Sequence, residues 1–265
     1  MDHKPSVAFT NAAAYEIYVG RWSRLVARQF VTWLDIPFAS TWIDVGAGTG
    51  ILTQVILEQN APQKIIGLDL SEPYLAYARQ VITDKRVEWV VGDASEIVLD
   101  RPAFDVVVAG LVLNFVPSPE DMVRGMKAAI RQDGVIAAYV WDYGDRMEMM
   151  RHFWDAAIAV DPSAKEFDAG TQFAICNPNN LRSLFATIGL RDIEIIPIDI
   201  QTQFSHFDDF WVPFLGAQGS VSRYLRSLDE DQQNALQKQL QRQLPISHDH
   251  SISLSARAWA IKGRR

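Results

Sequence analysis

Three glycines stand at every second position in residues 41–50, TWIDVGAGTG, after a short apolar run that carries one acid. Gly46, Gly48 and Gly50 permit backbone conformations that other residues rarely adopt, so the chain can fold closely around a ligand. A helix pattern, ILTQVILEQ, follows the loop and would direct its N-terminal N–H groups at that ligand. Asp44 lies two residues before the glycines, where it would repel a pyrophosphate and attract a cation. The spacing predicts a loop that binds a ligand with a positive charge. A turn that serves only close packing is the alternative interpretation.

Two phosphate-binding alternatives fit this loop less well. A P-loop requires Lys-Ser or Lys-Thr after the glycines, and neither follows here. A dinucleotide-binding loop has glycine at its first, third and sixth positions, but the sixth position counted from Gly46 is Ile51. The third glycine is Gly50 instead. An NAD(P)-dependent oxidoreductase is therefore the second hypothesis, ranked below an enzyme with a cationic ligand.

The series Asp44-x-Gly46-x-Gly48-x-Gly50 resembles the first motif of the class I S-adenosylmethionine (SAM)-dependent methyltransferases. SAM has an ammonium and a sulfonium that suit the acid, and a carboxylate that suits a helix N-terminus. The resemblance implies that the loop, including Ala47, holds the amino-acid end of SAM. It also implies that S-adenosylhomocysteine (SAH) is the product.

Two acids downstream extend the resemblance. Asp69 ends the second predicted strand, and by similarity it would bind both ribose hydroxyls, with Leu70 beside the adenine. A dinucleotide enzyme would also have an acid there, so Asp69 alone does not discriminate between the two hypotheses. Asp93 follows the third predicted strand and resembles the acid that accepts from the adenine amino group, with the backbone of Ala94 completing that edge.

The chain from the fourth predicted strand onward also matches the family pattern of strand, loop, helix and glycine-led fifth strand. The resemblance implies that Ala109, Gly110 and Leu111 line the methionine part of SAM, with Phe115 nearby. It covers the core at roughly residues 40–141 and follows the order expected of the family.

The N-terminal stretch AAYEIYVGRWSRLVA and the later VWDYGDRMEMMRHFWDAA resemble a bacterial subgroup of these enzymes with poorly defined substrates. In related methyltransferases an aromatic and a basic residue of the N-terminal helix close over SAM. Tyr18 and Arg21 are the candidates here, with Arg21 pairing the methionyl carboxylate. Ordinary capping and packing is the alternative role for both.

The candidates for a general acid or base are few, and methyl transfer needs a base only if the acceptor must lose a proton. Asp142 and Tyr143 directly follow the fifth predicted strand, near the expected acceptor position. His152 and His206 lie in two helical insertions. Each of the four also has a structural interpretation. The series His248-Asp249-His250 is interpreted as a turn, and no metal site is predicted.

The elements that must position these residues alternate between apolar strands and helices, which favours right-handed βαβ units. We predict a doubly wound, Rossmann-like α/β fold with a seven-stranded, mostly parallel sheet and an antiparallel last strand. The predicted strands are TWIDV (41–45), KIIGLD (64–69), RVEWVVG (86–92), FDVVVAG (104–110), VIAAYVW (135–141), RDIEIIPIDIQ (191–201) and SISLSARAWAIK (251–262).

We predict one methyltransferase domain over residues 1–265. Two segments rich in aromatic residues, 142–176 and 204–247, interrupt the alternation and are predicted to pack together as a helical cap. We call them the first and second cap segments. The remaining parts are an N-terminal helical segment (1–40), the SAM-binding core (41–141) and the end of the sheet (177–203 and 248–265).

Composition restricts the class of protein and its partners. The chain has 265 residues, 48% of them apolar, and a net charge of −7, which disfavours a nucleic-acid binder. Asn114 is followed by Phe-Val-Pro rather than the Pro-Pro-aromatic series of the adenine-methylating DNA enzymes, which also favours a small acceptor. The single Cys176 excludes an internal disulfide framework. No signal peptide or membrane span is evident, so we predict a cytoplasmic monomer or homodimer.

The leading hypothesis is a SAM-dependent methyltransferase that acts on a small, partly apolar metabolite by in-line displacement. The oxidoreductase is one alternative, and a non-catalytic SAM-binding protein is another, because no indispensable base is visible in the sequence.

Overall fold

Seven strands form one sheet in the computed structural model, which describes residues 16–93, 103–216 and 219–265. The strand order is β3-β2-β1-β4-β5-β7-β6. β7 pairs antiparallel with both of its neighbours, and the other pairs are parallel, so the predicted fold class is confirmed. The strands are Thr41–Val45 (β1), Lys64–Asp69 (β2), Val87–Val91 (β3), Phe104–Gly110 (β4), Ile130–Trp141 (β5), Arg191–Phe204 (β6) and Ile252–Arg264 (β7).

Ten α-helices in the described residues accompany the sheet. They are Arg21–Leu34 (α1), Ile51–Asn60 (α2), Glu72–Val81 (α3), Pro119–Ala129 (α4), Glu148–Val160 (α5), Ala169–Gln172 (α6), Pro178–Thr187 (α7), Phe207–Leu215 (α8), Ser220–Ser227 (α9) and Glu230–Gln243 (α10). A π-helical turn, Glu16–Gly20, leads into α1, and a 3₁₀ helix, Pro162–Phe167, follows α5. No helix in these ranges is long and apolar enough to cross a membrane.

The central strands are continuously apolar because both faces of the sheet are covered. On β4, Val106 and Val108 face the core that contains α1, α2 and the cap helices, whereas Val107 faces the core that contains α4 and α7. The side chains of all three valines are almost completely buried. Successive residues of one strand therefore anchor both layers of helices.

Helices of the two cap segments pack against each other mainly through aromatic rings. Phe153 of α5 stacks on Phe214 of α8 with ring centroids 4.6 Å apart. Trp154 of α5 lies 5.8 Å from the ring of Tyr224 on α9. The Gln-rich helix α10 packs on α5 and buries Leu236 completely. These rings fill the interior of the cap, where their burial supplies the hydrophobic stabilisation that the helices lack alone.

Candidate cofactor site

The glycine loop joins β1 to α2 and has left-handed backbone at all three glycines, with φ of +71° at Gly46, +56° at Gly48 and +86° at Gly50. A Cβ atom at Gly46 would lie 2.6 Å from a methyl of Val112, and one at Gly50 would lie 2.7 Å from Ile82. Both the conformation and the space therefore require glycine. The loop is the tight turn that its sequence predicts.

Asp44 lies at the end of β1 and is 1% exposed. Its Oδ2 accepts a hydrogen bond of 2.7 Å from the Thr53 hydroxyl on α2, while its Oδ1 has no hydrogen-bond partner among the described residues. Burial raises the pKa of Asp44 to about 7; the bond from Thr53 opposes this rise and the charge of Asp69 adds to it. A cation beside Oδ1 would pair with this oxygen and favour the ionised form of Asp44.

Asp69 ends β2 on the other side of the loop. Its Oδ2 accepts from the Gly48 N–H at 2.8 Å, and its Oδ1 accepts from the Ser71 N–H at 2.7 Å. Burial raises the pKa of Asp69, and these two backbone bonds oppose the rise. The carboxylate thus fixes the glycine loop relative to the start of α3, and it also lines the cavity described next.

A cavity of about 510 Å³ opens at the carboxyl ends of β1, β2 and β4. Its volume is in the range usual for small-molecule sites. Four residues that line it carry carboxylates (Asp44, Asp69, Glu72 and Asp93), and none of the described lining residues is Lys, Arg or His. The predicted cofactor residues in its wall are Asp44, Gly46, Ala47, Gly48, Asp69, Leu70, Asp93, Gly110, Leu111 and Phe115.

The other predicted cofactor residues lie elsewhere. Gly50 packs closely against Ile82 and Trp89, since a Cβ there would lie 2.7 Å and 3.0 Å from their side chains. Ala109 is fully buried in the core that contains α4. Ala94 lies outside the described residues.

Tyr18 and Arg21 contact the cap and do not line the cavity within the described chain. The Tyr18 hydroxyl donates to the Met150 sulfur at 3.0 Å, and its ring lies edge-on to Phe214. Arg21 pairs with Asp209 of α8 at 3.0 Å. In this structure both side chains therefore join the N-terminal segment to the cap.

Another residue of the N-terminal segment reaches the glycine loop. The Thr49 hydroxyl donates to Oε1 of Glu16 at 2.6 Å, and the other Glu16 oxygen lies 3.9 Å from Arg24 on α1. A carboxylate from the chain thus lies at the N-terminal end of α2, where the helix dipole favours negative charge. The sequence reasoning missed Glu16, because it lies far from the loop in the chain.

One further residue that lines the cavity, Tyr139, was also missed. Tyr139 on β5 is 2% exposed, and its hydroxyl packs so close to Gly110 that a Cβ there would lie 2.6 Å away. This contact explains why position 110 is glycine. Leu111, next to it, has a φ of +58°, an uncommon conformation for leucine that shapes the cavity wall. In the sequence, Tyr139 has the pattern of an ordinary core residue. Only its pairing with Gly110 between β4 and β5 would have indicated that it lines the cavity.

None of the four acid–base candidates is among the described residues that line the cavity. Asp142 is buried at the end of β5. Burial raises the pKa of its carboxyl group most, and the charge of Asp145 raises it further. Burial lowers the pKa of His152, which is half-buried on α5. His206 is exposed and caps α8, because its Nδ1 accepts from the Asp209 N–H at 3.2 Å.

Tyr143 belongs to an aromatic group next to the cavity. The ring of Phe115, which lines the cavity, lies 5.4 Å from Phe173, and Phe173 lies 5.6 Å from Tyr143. We call Phe115, Phe173 and Tyr143 the aromatic shelf. It connects the wall of the cavity to the first cap segment.

A buried ion pair holds the far side of this shelf. Arg151 binds both oxygens of Asp168, at 2.9 and 2.7 Å, and also donates to the Tyr143 carbonyl at 2.9 Å. Such bidentate pairs fix orientation as well as distance. The turn of His248-Asp249-His250 is exposed, and the Asp249 carboxylate accepts from the Ser251 hydroxyl.

Comparison with known proteins identifies related sequences and folds. Residues 43–138 match the family model described as a methyltransferase domain. Trans-aconitate 2-methyltransferase of Variovorax paradoxus is 28% identical over 179 residues, covering 68% of this chain and 64% of the relative. 2-Phytyl-1,4-naphtoquinone methyltransferase of Thermosynechococcus vestitus is 33% identical over 181 residues, covering 63% of this chain and 80% of the relative. The chain spans about three fifths of the length of the first curated relatives it matches.

The fold also has solved counterparts. Phosphoethanolamine N-methyltransferase 2 of Haemonchus contortus, solved with S-adenosyl-L-methionine, superposes with a TM-score of 0.59 at 17% identity. The superposition covers 96% of this chain and 56% of that one. At this identity the likeness shows a shared fold.

Proposed function

This chain belongs to the class I SAM-dependent methyltransferases, and from that premise we propose that it transfers a methyl group from SAM to a small, partly apolar acceptor. The observation that carries the proposal is Asp44, a buried carboxylate in the cavity wall with one oxygen that has no partner among the described residues. An ammonium group is the part of SAM that this oxygen suits.

The other groups of the cavity fit the rest of SAM. The N-terminal end of α2, where the Glu16 carboxylate lies through its bond from Thr49, suits a carboxylate. Asp69 and Asp93 present acceptors for hydroxyl and amino groups, and Leu70 presents an exposed apolar surface. The four carboxylates around the cavity favour a ligand with two positive centres.

When bound, SAM supplies a methyl group on a sulfonium: the acceptor's lone pair forms the new bond to carbon while sulfur keeps the electrons of the broken bond, giving SAH. The protein's own contribution is alignment and exclusion of water. Leu111, Val112 and Phe115 give the cavity an apolar wall where the acceptor would meet the cofactor. No described side chain in the wall on that side is positioned as a strong base, so an acceptor that attacks without prior deprotonation fits best.

The names of the two curated relatives described above cover two kinds of acceptor. One is trans-aconitate, a polycarboxylate, and the other is a naphthoquinone with a phytyl chain. We propose a small molecule of partly apolar character for this chain and no nucleic acid, supported by the net charge of −7 and the apolar cavity wall. A cytoplasmic monomer or homodimer is part of the same proposal.

Calorimetry with SAH tests the cofactor, and transfer of label from methyl-labelled SAM to a metabolite extract tests the reaction. We expect saturable SAH binding that Asp69→Ala weakens, followed by label in a small-molecule fraction. NADH fluorescence is the matched control for the oxidoreductase alternative. Saturable NADH binding without SAH binding would overturn the proposal, and tight SAH binding without any labelled product would favour a non-catalytic SAM-binding protein.

A further inference from the structure

We propose that Glu16 competes with the methionyl carboxylate of SAM for a single anion site at the N-terminal end of α2, and that its release sets the affinity for the cofactor. This inference rests on the proposed function and adds a residue that controls the same site. Three features of the described residues carry it: the contacts of the Glu16 carboxylate, the position of Asp44 near them, and the space that Gly20 leaves open.

Glu16 has the contacts that a bound carboxylate would have. Its Oε1 accepts from the Thr49 hydroxyl at 2.6 Å, and Thr49 both lines the cavity and directly precedes Gly50, the N-cap of α2. Its Oε2 lies 3.9 Å from the guanidinium of Arg24. The N–H groups of the first helical turn have no partner within the helix and favour an anion there. A hydroxyl, a cation and a helix N-terminus thus meet at one place, and the chain itself supplies the anion.

The start of α2 also carries the partner that suits an ammonium. Oδ2 of Asp44 accepts from Thr53 in the first turn of α2, while Oδ1 of this side chain, which is 1% exposed, has no hydrogen-bond partner among the described residues. In an α-amino acid the ammonium and the carboxylate are bonded to the same carbon, so the groups that bind them must be neighbours. A ligand ammonium at Asp44 therefore brings its carboxylate to the start of α2, where Glu16 lies.

The two arginines at the start of α1 have different partners. Arg21, the residue predicted for the SAM carboxylate, pairs with Asp209 of the cap at 3.0 Å. Arg24 donates from one guanidinium nitrogen to the Gln54 amide oxygen at 3.0 Å, which holds its side chain at the first turn of α2. The nitrogen that faces Glu16 is 3.9 Å away, too far for a hydrogen bond, so a cofactor carboxylate can take this donor. Arg24 is therefore the cation that passes from Glu16 to the cofactor.

The fit of Glu16 depends on a glycine. A Cβ at Gly20 would lie 2.7 Å from Oε2 and 3.0 Å from Cδ of Glu16, so the carboxylate lies directly against the Gly20 backbone. The φ of Gly20 is −58°, which alanine also adopts, so space and not conformation favours glycine there. The Glu16 side chain is 23% exposed, so it has solvent beside it and can leave without opening the core.

Three ligands separate the carboxylate from the rest of the cofactor. SAH has the ammonium and the carboxylate, decarboxylated SAH keeps only the ammonium, and 5′-methylthioadenosine has neither. Calorimetry gives their affinities for the full chain and for Glu16→Gln, which keeps an acceptor for Thr49 but no charge. We expect the variant to bind SAH about three- to tenfold more tightly, because the ligand no longer displaces an anion held by Arg24 and the helix dipole. Affinity for 5′-methylthioadenosine should not change, and affinity for decarboxylated SAH should not rise.

Further variants test the position of the carboxylate and the role of the cation. Gly20→Ala should shift Glu16 without removing its charge, and so should also raise SAH affinity. In the Glu16→Gln background, Arg24→Gln should lower SAH affinity about three- to tenfold and leave decarboxylated SAH unaffected. Glu58→Gln is the matched control, because Glu58 of α2 pairs with Arg28 of α1 at 2.7 Å further along the same two helices. It should change no affinity.

The outcomes separate this inference from the proposed function. An SAH affinity that stays the same in Glu16→Gln would overturn the competition, and one that falls would show that Glu16 helps to bind the cofactor. An equal gain for SAH and decarboxylated SAH would overturn the inference as well, because the carboxylate would not be the competing group. Failure of the wild-type chain to bind any of the three ligands would instead remove the proposed function on which the inference rests.

Discussion

The cofactor loop and the cap differ in the distance along the chain between the residues that contact one another. In the loop, Thr53 donates to Asp44 nine positions away, and Gly48 donates to Asp69 across 21 positions. In the cap, Tyr18 bonds to Met150 across 132 positions, and Arg21 bonds to Asp209 across 188. The loop is specified by local backbone chemistry, and the cap by long-range packing. A motif can therefore identify the cofactor, whereas the cap has no comparable signature in the sequence.

The strongest test of the local half of this comparison is Gly46→Ala. Its Cβ would collide with Val112 and require a φ of +71°, so we expect a loss of about 2–4 kcal/mol in the free energy of unfolding and no measurable SAH binding. Gly144→Ala is the matched control, because nothing lies within 4 Å of a Cβ there. Denaturant unfolding and calorimetry give both quantities. Equal behaviour of the two variants would break the claim that local backbone geometry specifies the loop.

Asp44→Asn tests the charge in the same loop. The amide keeps the bond from Thr53 but loses the anion, so we expect SAH affinity to fall about 10- to 100-fold at pH 8. Because the pKa of Asp44 is raised to about 7, the wild-type protein should bind SAH more weakly as the pH falls from 8 to 6. The Asn variant should lose this dependence. A similar slope in both proteins, measured by calorimetry at several pH values, would assign it to another group.

The same raised pKa predicts an opposite effect on the stability of the ligand-free protein. Below the ordinary aspartate pKa near 4, Asp44 is neutral in both the folded and the unfolded chain, and its burial costs no stability. As the pH rises from there toward 7, the unfolded chain ionises more readily than the folded one, so the free energy of unfolding falls. Asp44→Asn should therefore unfold at a higher denaturant concentration than wild type at pH 8 and at a similar one near pH 4. A variant that is less stable than wild type at pH 8 would contradict the assignment of a buried, desolvated carboxylate.

Arg151→Lys tests the cap, at an ion pair within the first cap segment whose residues lie 17 positions apart. Lysine cannot bind both oxygens of Asp168 and the Tyr143 carbonyl together, so we expect a loss of about 1–2 kcal/mol in unfolding free energy. SAH affinity should not change. Arg124→Lys, at an exposed pair with Glu120, is the control and should be nearly neutral. A loss of SAH affinity in Arg151→Lys would show that the cap and the loop are coupled.

The smallest effect is expected at the half-exposed pair of Arg21 and Asp209. Arg21→Lys and Asp209→Asn should each lower the unfolding free energy by about 0.5–1 kcal/mol, with SAH affinity unchanged within about twofold. Arg21 was predicted from the family resemblance to bind the SAM carboxylate. A drop in SAH affinity confined to Arg21→Lys would support that role and reduce the contrast between the two regions.

Sequence reasoning recovered the elements whose signals are local. The seven strands follow from short apolar runs, and the glycine positions follow from the backbone conformations they permit. Thr53 was missed because a threonine within an apolar helix carries no signal of the carboxylate it will meet. Tyr139 was missed because its place in the cavity depends on register with Gly110 across two strands. The pairing of Arg21 with Asp209 depends on the packed cap, which no spacing encodes.

The position of β7 has a consequence for how the protein is made. β6 pairs only with β7 in the described chain, and β7 is synthesised after the whole second cap segment. On the ribosome β6 must wait, with its hydrogen-bonding edge exposed, until Ile252–Arg264 emerges and inserts between it and β5. The chain thus carries an unpaired strand while the second cap segment is synthesised, a state in which newly made proteins aggregate or engage chaperones.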